Sequence, residues 1–193
     1  MSNDEEQEYF ADGITEDIIA NLSLWKTFPV ISRNSSFSFK NSTEKSDVIS
    51  KALGARYLVE GSVRKAGNKV RITAQLTSAD DDKQIWSKRW DRSLEDIFEV
   101  QDEVSRDVAA LISPALKDQE QVKLSTKGKK NFGAWDEYLQ GLNIYNTQDF
   151  VGTTLGDKVI EHCKRAIELD ANFCDAYVLY CNCLLYTSPS PRD

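Results

Sequence analysis

A single histidine, no Gly-rich phosphate loop and no zinc-hydrolase helix motif leave this chain of 193 residues with few of the tools of catalysis. The one histidine, His162, falls in a helical pattern with no serine or cysteine nucleophile placed to use it as a base, so it reads as a surface or packing residue. Cys163 beside it reads as a small core residue, because an activated thiol needs an open, electropositive site. The carboxylate pairs Glu16-Asp17 and Asp102-Glu103 are sequence neighbours that point to different sides of a helix and cannot share a proton. No run approaches the roughly 20 apolar residues of a membrane-crossing helix, and the start lacks the basic and apolar regions of a signal peptide. Excess positive charge is also missing: 24 Lys and Arg stand against 31 Asp and Glu, a formal charge of −7, which argues against direct nucleic-acid binding. Cys163, Cys174, Cys181 and Cys183 lack zinc-like spacing and read as reduced packing residues. The acidic runs Asp4-Glu5-Glu6 and Asp80-Asp81-Asp82 read as solvated loops, since a calcium loop needs a longer fixed spacing. No catalytic, cofactor-binding or metal-ligating residue is therefore assigned, and no membrane insertion is expected.

What the chain does have is alternation. Tyr57, Val59, Gly61 and Val63 alternate with Leu58, Glu60, Ser62 and Arg64; Val70, Ile72, Ala74 and Leu76 alternate with Arg71, Thr73, Gln75 and Thr77. Ala66-Gly67-Asn68 supplies turn residues between them, and Asp80-Asp81-Asp82 marks a second reversal before Ile85, Trp86 and Trp90. Three strands in a meander follow. Trp86 and Trp90 share a face from which Arg89 points away; a base-stacking cluster and burial under the next helix are both open, with burial favoured.

Before the meander, Ile14, Ile18, Ile19 and Leu22 recur at helical spacing, and Asp12, Glu16 and Asp17 suit a helix start, so a helix is expected from there to about Trp25. Phe28 to Ser32 reads as a short strand. Arg33 to Thr43 reads as a polar connection with Phe37 and Phe39 dipping into the core, and Ser46 as the cap of a helix ended by Gly54. After the meander, Ser93-Leu94-Glu95-Asp96 fits a capping pattern ahead of a stripe of Ile97, Val104, Val108, Leu111 and Ile112. Lys117 to Asn131 turns polar and lysine-rich, which places a domain boundary there. Beyond it, Trp135, Tyr138, Leu139, Gly141, Leu142 and Tyr145 mark one amphipathic helix, and Val159, Cys163, Ala166, Ile167 and Leu169 the next. The fold class expected is α/β, a mixed sheet with helices packed on it, followed by an all-α segment.

The meander, taken with Tyr9 to Ile19, Val30 to Phe37 and Ala52 to Tyr57, resembles a TolB-type N-terminal domain over residues 1–115. Residues 132–182 resemble a tetratricopeptide-repeat segment, with Ala166 to Phe173 as its best signature and Asp175-Ala176-Tyr177 opening the next repeat. The connection from Asn146 to Gly156 is longer than that of the usual repeat, and Ala171 stands where proline is common. Residues 116–131 are the linker of this scheme. The resemblance implies a bacterial signalling regulator, in which such a pair accompanies a class III adenylate cyclase domain or, alternatively, a winged-helix DNA-binding domain. It implies no enzymatic residue here, and a protein or peptide partner in the groove of the repeats. A cytoplasmic location and attachment to a membrane-anchored parent are both open.

Both ends depart from the family pattern. Residues 183–193 show no period and resemble the translation of a sequencing adapter, and an apolar strand expected just before Met1 is missing. The second departure predicts a sheet edge exposed beside Val30 and Ile31, and poor solubility for residues 1–182 alone.

Overall fold

The computed structural model describes residues 2–25, 27–79, 82–112, 131–146 and 154–187, in two compact units divided between Thr126 and Lys127. In the first unit the order is α1 (Ser2–Ser23), α2 (Arg33–Phe37), α3 (Ser46–Leu53), β1 (Tyr57–Ala66), β2 (Lys69–Ser78), β3 (Lys83–Ser93) and α4 (Ile97–Ile112).

The alternation becomes a three-stranded antiparallel meander, β1-β2-β3. Gly67 takes φ +57° in the two-residue turn closed by Ala66 and Lys69, a conformation that costs glycine nothing. Leu94 N–H donates to Asn68 O at 3.0 Å and ties the end of β3 to that hairpin. A bulge lies opposite Leu76 and Thr77, where the register passes over Ile85 and keeps Trp86 on the face of Leu76. Gly61 faces Ala74, and a Cβ there would collide with the Thr73 carbonyl, so the strand pair requires a glycine at that point.

Cross-strand partners share a face. Val70, Ile72, Ala74 and Leu76 form the buried row of β2, and Trp90 of β3 lies opposite Ile72. Helices α1 and α4 cover this face. The α4 stripe of Ile97, Val100, Val104 and Val108 is completely buried, at about 1.5–3 kcal/mol for each side chain. Leu111, expected in that stripe, is exposed, and Ile112 is half-buried, because the helix outruns the sheet. Phe10, Ile14 and Leu22 are the α1 contribution, and Asn21 donates to Asp102 of α4 at 3.2 Å.

Several expectations are corrected. Helix α1 starts at Ser2, about ten residues ahead of the acidic cluster read as its start. Those acids serve cations of the following segment instead: Arg33 lies 2.9 Å from Glu16, and Lys40 lies 2.8 Å from Asp12 and 2.7 Å from Glu8. Residues 28–32 form no strand, so the described sheet is purely antiparallel and not mixed. Pro29 lacks a ladder donor, and Ser32 is drawn away as the N-cap of α2, accepting from Ser35 N–H; too little chain remains between them to pair. Phe37 and Phe39 sink only half-way, because Phe37 closes that short helix and is covered by the Arg33 guanidinium at 4.3 Å. Ser46 is the first helical residue of α3, after Lys45 as N-cap, while Gly54 ends it in the left-handed region as read. Ser93 does not cap a backbone N–H. Its hydroxyl donates to the Asp96 carboxylate at 2.7 Å across a 3-10 turn, Leu94–Asp96, that leads into α4.

The second unit holds α5 (Phe132–Tyr145), α6 (Thr154–Leu169) and α7 (Cys174–Thr187), each packed on the next. Asn131 caps α5, accepting from Gly133 and Ala134 N–H, and its amide donates to Leu169 O at 2.9 Å, closing the far end of α6 over the start of α5. Val159, Cys163, Leu179 and Cys183 form the core with Tyr138 and Leu142 against them. Residues 183–187 were expected to lack a pattern, but they continue α7: Cys183 completes an Ala176, Leu179, Cys183 stripe and is fully buried. Residues 188–193, with Pro189 and Pro191, and the linker residues 116–130 lie outside the described residues. Among the described residues, no helix is long and apolar enough to cross a membrane.

Candidate interaction surface

The face of the sheet opposite α1 and α4 is polar from the Gly67 turn as far as Gln75, beyond which Leu58 and Thr77 are buried, and it is ordered in rows by the register. Nearest the Gly67 turn stand Ala66, Lys69 and Ser93; next come Arg64, Arg71 and Asp91; then Ser62, Thr73 and Arg89; then Glu60, Gln75 and Ser87. Arg71 Nε donates to Asp91 at 2.5 Å, and Arg89 lies 3.3 Å from the other oxygen of the same carboxylate. The hydrogen bond from Arg71, with Arg89 and Arg92 close by, holds the Asp91 carboxyl below its ordinary range. Arg64 stands directly across from Arg71, like charge beside like charge, and has no carboxylate partner among the described residues. Arg71 and Arg89 are more than half exposed.

The covered face uses its charges differently. Trp90, 2% exposed, donates from Nε1 to Glu103 at 2.8 Å, and Lys88 pairs with Asp107 at 2.7 Å while lying over the Trp90 ring. Burial under α4 is thus the fate of Trp90. Trp86 beside it, 6.0 Å between ring centroids, is half-buried, and Arg89 indeed points to the opposite face. The adjacent carboxylates go to separate partners: Glu103 to Trp90, Asp102 to Asn21, Glu16 to Arg33. Burial pushes the Glu16 carboxyl above its ordinary range despite Arg33.

In the helical unit His162 is half-buried and lies 2.7 Å from Glu137 across the α5–α6 contact. That contact is close because Gly141 has no side chain: a Cβ there would stand 3.2 Å from His162 Cβ. Burial, with Cys183 nearby, pushes the Cys163 thiol up to about 12, and burial raises Cys183 too. Both are held as thiols. Cys174 and Cys181 are exposed, so only two of the four cysteines pack as read, the α7 stripe having room for Cys183 alone. Tyr177, Val178, Leu184 and Leu185 leave an apolar face of α7 exposed. Among the described residues no three His, Cys, Asp or Glu side chains converge as a metal site.

The arginine group was not legible beforehand as a site. Arg64, Arg71 and Arg89 are scattered over 26 positions of sequence, and only the register brings them to one face.

No family model matches the chain. A curated protein of Rhizobium meliloti (strain 1021), named "Putative adenylate cyclase 3", is 47% identical over 136 residues, 70% of this chain. The chain spans only 23% of that relative's length, so what the two share is a segment of a much longer protein with a cyclase name.

Proposed function

We propose that this chain is a non-catalytic sensory or scaffolding segment of a bacterial signalling regulator, joined in the whole protein to a class III adenylate cyclase domain. The observation that carries this reading is the proportion of the match: most of this chain corresponds to under a quarter of a protein named for cyclase activity. Three quarters of such a protein remain in which to house the chemistry. On this reading residues 1–115 are a TolB-type domain and residues 132–182 the start of a tetratricopeptide array that binds a protein or peptide. The succession α5, α6, α7, with small residues Gly141, Ala166 and Ala176 buried between helices, supports the repeat assignment. The exposed apolar face of α7 suits a further stacked helix. The exposed, cation-bearing polar face of the sheet supports a binding role.

The test is direct. Purified chain incubated with ATP and Mg²⁺ or Mn²⁺ is expected to form no cyclic AMP, while deleting this segment from the full-length product of the source locus changes the regulation of cyclic AMP synthesis. Steady cyclic AMP formation by the chain alone would overturn the reading, as would a full-length protein lacking any cyclase activity.

A further inference from the structure

On an acidic chain, the open sheet face concentrates cations without matching them. Lys69, Arg64, Arg71 and Arg89 occupy three successive rows at the hairpin end, against Asp91 alone; Glu60 lies a row further on and is engaged by Gln75 at 3.4 Å. Strands stand about 4.8 Å apart and rows about 7 Å apart, so Arg71 lies within about a Debye length of each of Lys69, Arg64 and Arg89. Placing Arg64 opposite Arg71 costs stability unless something negative lies over the pair. The built carboxylate shows what the guanidinium groups accept: Asp91 is held between Arg71 and Arg89. Arg64 offers an equivalent planar fork with nothing in it.

We infer that this face docks a carboxylate-rich segment of a partner protein, its acidic side chains entering the row of Arg64, Arg71 and Arg89 beside Asp91. Nucleic acid fits less well, because the face carries no aromatic side chain on which a base could stack: Tyr57, Trp86 and Trp90 all belong to the covered face. The small polar side chains of Ser62, Thr73 and Ser87 leave the surface between the cations low and able to admit a helix or strand. This inference rests on the reading of the chain as an interaction segment and names the chemistry of one partner.

The experiment titrates fluorescein-labelled poly-L-glutamate into the whole chain and follows anisotropy. Binding is expected, weaker at higher salt, and reduced by roughly tenfold or more in the R64E/R89E double variant. The Lys164→Glu variant, altered on the helical unit, should bind as the parent does. R64Q/R89Q carries the same expectation, to a smaller degree, should the charge reversal unfold the sheet by circular dichroism. The inference fails if the double variants bind as tightly as the parent or the probe does not bind. It fails as well if an oligothymidylate binds the same residues more tightly, or if sedimentation shows that a second copy of the chain occupies the face. Cyclic AMP formation by the chain would overturn the proposed function and leave this titration unaffected, so the two failures are distinguishable.

Discussion

In the sheet-bearing unit the interior is filled by Trp90, Leu76, Ile72, Ile97 and Val104, and charged groups rim it: Glu103 takes the indole N–H, Asp107 takes Lys88, and Asp12 takes Lys40. In the helical unit Trp135, Leu139, Val159 and Leu179 are buried beside a set of small residues, Gly141, Cys163, Ala166, Ala176 and Cys183, that lie between the helices, and among the described residues ion pairs are few. A sheet face is broad, and large side chains must fill the space of about 10 Å between it and the layer packed on it. Two helices, in contrast, gain most by letting their backbones approach, which small residues permit. The first unit should therefore suffer chiefly from truncation, and the second also from enlargement at its small positions.

Thiol chemistry gives the largest effect and tests the packed helical core. With Cys163 raised from 9.0 to about 12, its thiolate population at pH 8 falls roughly a thousandfold, and burial adds to this. Alkylation by iodoacetamide, read by mass spectrometry, should mark exposed Cys174 and Cys181 in the folded protein and reach Cys163 only in denaturant. Comparable rates at Cys163 and Cys174 would break the contrast.

Truncation comes next. Trp90→Ala should cost the sheet unit about 3–5 kcal/mol, since it opens a cavity under α4 and removes the indole donor from Glu103. Denaturant titration followed by circular dichroism should show the loss, and a change under about 1 kcal/mol would mean that α4 is not seated on Trp90. Enlargement is the converse: Gly141→Leu should cost the helical unit about 1–3 kcal/mol by driving against His162 and Leu179. A variant as stable as the parent would show that the α5–α6 approach is not limiting.

The smallest effect belongs to the rim. Burial opposes the charge on Lys40, but its hydrogen bonds to Asp12 and Glu8 outweigh this and raise its pKa above the ordinary 10.5. A raised cation stabilises fully below the unfolded value, and that contribution is lost as pH rises through the folded one. Lys40→Met should therefore cost less than about 1 kcal/mol at pH 7, and the difference from the parent should vanish in strongly alkaline solution. A difference independent of pH would assign Lys40 a packing role instead.

Much of this was legible as periodicity. The period-2 runs became β1 and β2 with Val70, Ile72, Ala74 and Leu76 inside, and the 3.6-residue stripe of Ile97, Val104 and Val108 became the underside of α4. Local competition defeated the remainder. Val30 and Ile31 have strand-like side chains, yet Pro29 and the capping demand of Ser32 prevailed over them. The acids of α1 looked like dipole partners because the cations that claim them, Arg33 and Lys40, lie 17 to 28 positions further on. For the candidate surface, each arginine was visible singly, but a sequence does not state the register that sums them.

The amino-acid sequence by itself determined which residues turn inward, where the hairpin reverses at Gly67 and how the repeated small residues fall on α5, α6 and α7, because those follow from side-chain size and backbone freedom at each position. Only the tertiary structure decided that Arg64, Arg71 and Arg89 share one open face, that Asp91 serves two of them, and that Glu103 closes over Trp90. Each of these depends on which residues end up opposite one another across strands and helices, a relation set by packing the whole sheet at once.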